Sequence, residues 1–233
     1  MGPSVNAGNT IISTQGLELL RVLEELYLPG NQITSIDVST MPNLRVLDLS
    51  DNPISQLDTS HNPQLTSLHM ADVYTLQDGV APLTVDFSHN SRLKSLDLRL
   101  ATTVVLPASD SLTDLSLTLA ADLPAIGQPA AVTNTYYYGK VGYVMDLSKY
   151  PNLHNLSLTG HLQSVKLPVG EKLESLTIRG ATTVFSANLT DAPKLKTLTA
   201  TLADSETSFD LSRWPQLTEL NLTANGLQQL DLM

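Results

Sequence analysis

The stretch Leu44-Arg45-Val46-Leu47-Asp48-Leu49 decides the fold. As a short extended segment it directs Leu47 and Leu49 to one face and Val46 and Asp48 to the other, with Leu44 at the bend that enters it. One such strand cannot bury its apolar face alone. The same hexad, Leu-x-x-Leu-x-apolar, starts at Leu23, Leu44, Leu65, Leu93, Leu112, Leu153, Leu173, Leu195 and Leu217, so successive starts lie 21, 21, 28, 19, 41, 20, 22 and 22 residues apart. Recurrence at that period is the signature of stacked coils, in which each strand gains a neighbour and the leucines form a ladder through a one-dimensional core. The interval of 41 is close to two periods. It predicts a degenerate coil with a disguised strand near Val132 to Tyr137, and hence about ten coils where nine are obvious.

The return half of each coil is patterned as well. Ile36-Asp37-Val38-Ser39, Leu57-Asp58-Thr59-Ser60, Asp86-Phe87-Ser88, Asp146-Leu147-Ser148 and Asp210-Leu211-Ser212 each place an acidic residue, a further residue and Ser just ahead of the next hexad. Pro42, Pro63, Pro151 and Pro215 stand two residues before their leucine anchors. Asp and Ser bond nearby backbone groups in turns, and proline fixes the corner. No Gly-Gly-x-Gly-x-Asp nonapeptide accompanies these acids, so neither a calcium ladder nor any cofactor is expected.

These hexads, with Asp-x-Ser-x-x-Pro in the second half of a 21-residue coil, resemble the leucine-rich repeat family, and within it the bacterial surface proteins called internalins, the internalin-J-like group and related proteins of Bacteroidetes in particular. The resemblance covers roughly residues 20 to 233. It implies a right-handed leucine-rich repeat solenoid with a parallel β-sheet on the concave side and a convex side of short β or 3₁₀ pieces. It also implies protein recognition at a host or bacterial surface. The cysteine-bearing variant of the group is absent, since the chain has no cysteine. A second departure is the ninth motif position, usually Asn. It is Asn31, Asn52 and Asn225 near the ends but Val73, Ala101, Ala120, His161, Ala181 and Ala203 in the middle. Missing Asn side chains leave backbone groups that must pair otherwise. Less regular turns and altered curvature are expected there.

Residues 1–22 read as a disordered start followed by a helical turn or worn first coil, Thr14 to Arg21, that caps the core. Residues 23–233 read as the solenoid, with insertions near 71–86 and 119–145 and without a C-terminal cap, as expected of a fragment of a longer protein or of an open end that another copy buries. The second insertion holds Tyr136, Tyr137, Tyr138 and Tyr143, four of the seven tyrosines. Rigid amphipathic rings suit interfaces, which makes Tyr136, Tyr138 and Tyr143 candidate ligand contacts. Tyr137 and Tyr143 equally suit the filling of a degenerate coil.

Outward positions of the strands supply the remaining candidates. A first column reads Glu25, Val46, Ser67, Ser95, Asp114, Asn155, Ser175, Thr197 and Glu219, and a second reads Tyr27, Asp48, His69, Asp97, Ser116, Ser157, Thr177, Thr199 and Asn221. A third includes Ser50, Arg99, Thr118, Thr159, Arg179, Thr201 and Thr223. Tyr27 heads the second column, and Asp48, His69 and Asp97 follow it on neighbouring coils, about 5 Å apart from strand to strand. That row either holds a ligand or is a solvated line of hydrogen-bonding side chains.

Composition removes other classes. With 13 Lys and Arg against 23 Asp and Glu the formal charge is −10, and the cations form no cluster, so a nucleic-acid partner is not expected. No apolar run approaches the roughly 20 residues of a membrane-spanning helix. His61, His69, His89, His154 and His161 form no His-Glu-x-x-His pair, and no Gly-x-Ser-x-Gly elbow, Walker loop or dinucleotide fingerprint occurs. With these classes set aside, the internalin resemblance implies a non-enzymatic recognition or adhesion module of a secreted or surface-attached bacterial protein, extracellular, with a host or bacterial surface protein as partner. A glycan-binding module and a passive spacer for a larger surface protein are the alternatives.

Overall fold

The computed structural model describes residues 10–71, 83–119, 132–137, 140–168, 171–181, 192–201, 208–212, 214–223 and 226–231. Its spine is a parallel ladder of nine hexad strands. In chain order, β1 (Glu25–Tyr27), β2 (Val46–Asp48), β3 (Gln56–Leu57), β4 (Ser67–Met70), β5 (Leu83–Asp86), β6 (Ser95–Val105), β7 (Asp114–Leu119) and β8 (Val132–Tyr137) make up the first part. They are followed by β9 (Lys140–Asp146), β10 (Asn155–Lys166), β11 (Ser175–Ala181), β12 (Thr197–Thr201), β13 (Ser208–Asp210), β14 (Glu219–Thr223) and β15 (Gln229–Asp231). The concave order is β1-β2-β4-β6-β7-β10-β11-β12-β14, one strand for each hexad. The chain is a leucine-rich repeat solenoid.

The leucines do what the hexad requires. Leu26, Leu47, Leu68, Leu96, Leu115, Leu156, Leu176 and Leu198 align in register and are buried. Each contributes about 1.5–3 kcal/mol by leaving water. The anchors from Leu44 through Leu195 are buried beside them. The last rung, Leu220, is 37% exposed.

The return turns repeat one bonding scheme. The amide of Ser39 donates to Asp37 Oδ1 at 2.9 Å, and Ser60, Ser88, Ser148 and Ser212 bond Asp58, Asp86, Asp146 and Asp210 in the same way. Two consecutive backbone turns then lead to the anchors Leu44, Leu65, Leu93, Leu153 and Leu217, as in Asn62 N–H to Thr59 O and Leu65 N–H to Asn62 O. The residue shared by the two turns points inward: Met41, Asn62, Asn90, Tyr150 and Trp214 are buried, as is Ala192 at the same distance before Leu195.

The ninth position behaves as its chemistry demands. Asn52 donates to the carbonyls of Leu28, Leu49 and Ser50 and accepts from the Ile33 amide, so β2 ends and the chain turns. Asn31 bonds Leu28 and Pro29 and accepts from the Ile11 amide, fastening residues before the 3₁₀ turn Leu17–Leu19 to the first full coil. Where Ala101 and His161 replace Asn, no side chain of that kind bonds the corner. There β6 and β10 instead run on as strands of 11 and 12 residues, with a register shift at each bend. Their second halves pair with β5 and β9, so the backbone satisfies itself from coil to coil. Asn225 lies outside the described residues.

The expected tenth coil is not formed. β7 pairs directly with β10, Asp114 opposite Asn155, and β8 pairs antiparallel with β9, off the concave ladder. The interval of 41 is thus one coil with a hairpin inserted, not two coils. Apolar alternation does not distinguish a parallel from an antiparallel neighbour, and here Val132–Tyr137 pairs antiparallel with Lys140–Met145. Of the earlier expected insertion, 71–86, β5 is a return strand between β3 and β6, and residues 72–82 lie outside the described residues. No helix among the described residues is long and apolar enough to cross a membrane.

Candidate recognition face

Parallel pairing without a register shift carries the first two outward columns across the concave sheet. Glu25, Val46, Ser67, Ser95, Asp114, Asn155, Ser175, Thr197 and Glu219 are successive partners. So are Tyr27, Asp48, His69, Asp97, Ser116, Ser157, Thr177, Thr199 and Asn221. Strand geometry turns both columns away from the leucine core.

At the N-terminal end of the grid Tyr27 is 55% exposed, and its hydroxyl donates to Glu25 Oε2 at 3.1 Å. That bond first, then partial desolvation and the adjacent carboxylates of Glu25 and Asp48, raises the phenol above its usual range. Asp48 accepts from the Ser50 amide at 2.9 Å. His69 stands between Asp48 and Asp97 in register, but its Nε2 is 2.9 Å from the Ser67 hydroxyl on its own strand. Among the described residues no group of three His, Asp or Glu is placed to hold a metal ion.

The centre of the face is hollow. Small Ser95, Ser116, Ser157 and Ser175 leave a trough of about 240 Å³, with His69, Asp97, Asp114 and Asn155 also on its walls. Asp114 accepts from Thr113 Oγ1 at 2.7 Å and from the Asn155 amide group, which fixes its carboxylate in the trough.

The tyrosine candidates part company. Tyr143 is 0% exposed and belongs to the core, not to a surface. Burial pushes its phenol up to about 12. Its place on β9, opposite Leu162 of β10, turns it inward as a filler of the coil. Tyr136 lies on β8 opposite Val141, in the part of the hairpin that runs past Tyr143, where the pairing of β9 with β10 begins. Tyr138 lies outside the described residues.

Two features were not read from the sequence. Asn62 and Asn90, each fully buried, form a second side-chain ladder on the convex side. Asn62 Nδ2 donates to the carbonyls of Val38 and Met41, and Asn90 Nδ2 to those of Thr59 and Asn62. Asn beside Pro63 or Ser91 reads as a turn residue. The available signal was its recurrence at the repeat position that Met41 and Trp214 fill elsewhere. The other is a cleft of about 450 Å³ between Val105–Asp110 and Asp146–Tyr150, where the hairpin interrupts the row of return turns. The short interval of 19 beside the long one of 41 marked the spot.

The family model for "Leucine Rich repeats (2 copies)" matches residues 21–62. A comparison with curated proteins finds no match. Among solved structures, the functional domain of InlJ from Listeria monocytogenes, which includes a cysteine ladder, superposes with a TM-score of 0.56 at 20% identity, over 94% of this chain and 47% of that one. A leucine-rich repeat protein of Leptospira interrogans gives 0.54 at 18% identity, over 88% of this chain and 56% of that one. The chain therefore spans about half the length of the structures it resembles. No cysteine ladder is available here, and leucine rungs with asparagine ladders hold the coils instead. The protein is a leucine-rich repeat solenoid with a fold similar to that of InlJ, as the internalin resemblance of its repeats implies.

Proposed function

We propose that this chain is a non-enzymatic protein-recognition module whose concave grid docks a partner, as part of a secreted or surface-attached bacterial protein. One observation carries the reading. The two columns run in unbroken register across nine strands, and no described part of the chain covers them. A rigid lattice of this kind binds without paying for its own ordering, the usual advantage of a preorganised surface. Tyr136, on β8, and Tyr138 are proposed as further contacts beside Tyr27, Asp48, His69 and Asp97. A partner on a host or bacterial cell surface agrees with the internalin-like fold. A second reading, glycan attachment, is favoured by the hydroxyl, amide and carboxylate lining of the trough.

The test is to probe arrays of extracellular proteins and of glycans with the wild-type domain and with Ser157→Trp, which fills the trough. A protein ligand retained by wild type and lost by Ser157→Trp supports the proposal. Ligands confined to the glycan array favour the second reading, and ligands indifferent to the substitution contradict both.

A further inference from the structure

The distribution of charge on the concave face says what kind of protein segment it takes. In the first two columns stand five carboxylates, Glu25, Asp48, Asp97, Asp114 and Glu219, and no Lys or Arg. Cations are not scarce nearby. At the strand entries Arg45 lies 3.4 Å from Glu24 and Lys196 lies 2.8 Å from Glu174, so charge there is compensated coil by coil. Among the described residues none of the five face carboxylates is in an ion pair. Arg99 and Arg179 belong to the third column, at the strand ends, and neither lines the trough. The trough instead joins two of the carboxylates, Asp97 and Asp114, to a floor of serines.

We propose that the partner seats a basic segment on this face, with a Lys or Arg side chain entering the trough between Asp97 and Asp114. The inference rests on the protein-recognition reading above and adds the chemistry of the partner. Serine hydroxyls and the Asn155 carboxamide supply acceptors around the incoming cation. Asp97 and Asp114, on the paired strands β6 and β7 and in no ion pair among the described residues, favour an opposite charge between them, and the acidic face steers a basic surface toward it.

The test measures binding of lysine-rich, glutamate-rich and uncharged Gly-Ser peptides of equal length, by fluorescence anisotropy at low and high salt. Four proteins are compared: wild type, Asp97→Asn/Asp114→Asn, the control Glu171→Gln/Glu174→Gln, and Ser157→Trp. The lysine-rich peptide is expected to bind wild type. Its binding falls about five- to tenfold in the face variant, falls with salt, and changes by less than about twofold in the control, which alters net charge equally. Asp97→Asn alone breaks no internal hydrogen bond among the described residues and carries the test should the double variant unfold. Equal losses in face variant and control would reduce the effect to net charge and overturn the proposal. If the glutamate-rich or uncharged peptide binds as well as the lysine-rich one, and loses binding in Ser157→Trp, the recognition face stands while its preference for a basic segment falls. If no peptide shows binding sensitive to Ser157→Trp, both fall.

Discussion

Asn62 holds its two neighbouring carbonyls through Nδ2, yet its buried Oδ1 accepts no hydrogen bond. One coil on, Asn90 Oδ1 accepts from the Thr59 hydroxyl at 2.8 Å. The residue equivalent to Thr59 in the preceding coil is Val38, which has no donor. Val38→Thr should therefore raise stability by roughly 0.5–1.5 kcal/mol in urea unfolding, although a hydroxyl introduced into a leucine core normally costs stability. A loss of stability would show that the ladder is not bonded as described. The return-turn acids make a second prediction. Hydrogen bonds from the Ser side chain and amide lower the carboxyls of Asp37, Asp58 and Asp146 below their ordinary range. A depressed folded-state value means that the stabilisation is full above the unfolded value, about pH 4, and is lost as pH falls through the lower folded value. Thermal midpoints should therefore drop on acidification below about pH 4. The drop should be shallower in Asp37→Asn/Asp58→Asn/Asp146→Asn, and an unchanged profile would contradict the role given to these turns.

Among the elements, β10 and β11 show how the solenoid bends where Asn is missing. Gly160 and Gly180 have φ of 137° and 84°, and a β-carbon on Gly180 would lie 2.5 Å from the Gly160 carbonyl oxygen. Neither conformation nor space suits a side chain, so Gly180→Ala should cost roughly 2–4 kcal/mol by denaturant unfolding. A cost below about 0.5 kcal/mol would mean that the corner is not packed in this way. The concave strands were legible because the hexad specifies burial at fixed offsets, and the outward columns followed from the same alternation. Two elements escaped for different reasons. The hairpin β8-β9 uses alternation that fits either pairing direction, so the interval of 41 suggested another coil. The continuation of β6 and β10 round the corner depends on what backbone groups do without Asn, which identifies a strained place but not its solution. Of the site, the row Tyr27, Asp48, His69 and Asp97 was readable as register. The trough was not, because a hollow depends on what small neighbours such as Ser116 and Ser157 fail to fill.

Across the whole molecule, stability should grade along the stack, because each coil contacts only its neighbours. Leu198 is fully buried while Leu220 on the last concave strand is 37% exposed, and Leu230 on β15 is 46% exposed. Amide hydrogen exchange should accordingly be fastest in β14 and β15 and slowest in β6, β7 and β10, and uniform protection from end to end would argue for a single cooperative block. The same rigidity underlies the functional claim, since a grid that does not reorganise has to recognise by shape and charge already in place. The most direct measurement is the affinity of a protein ligand of this domain for two variants that each carry one new tryptophan, Ser157→Trp in the concave trough and Ser212→Trp on the exposed return turn. Binding weakened more than about a hundredfold by the first and unchanged by the second is the predicted result. Equal affinities, or loss only with Ser212→Trp, would place recognition elsewhere on the solenoid.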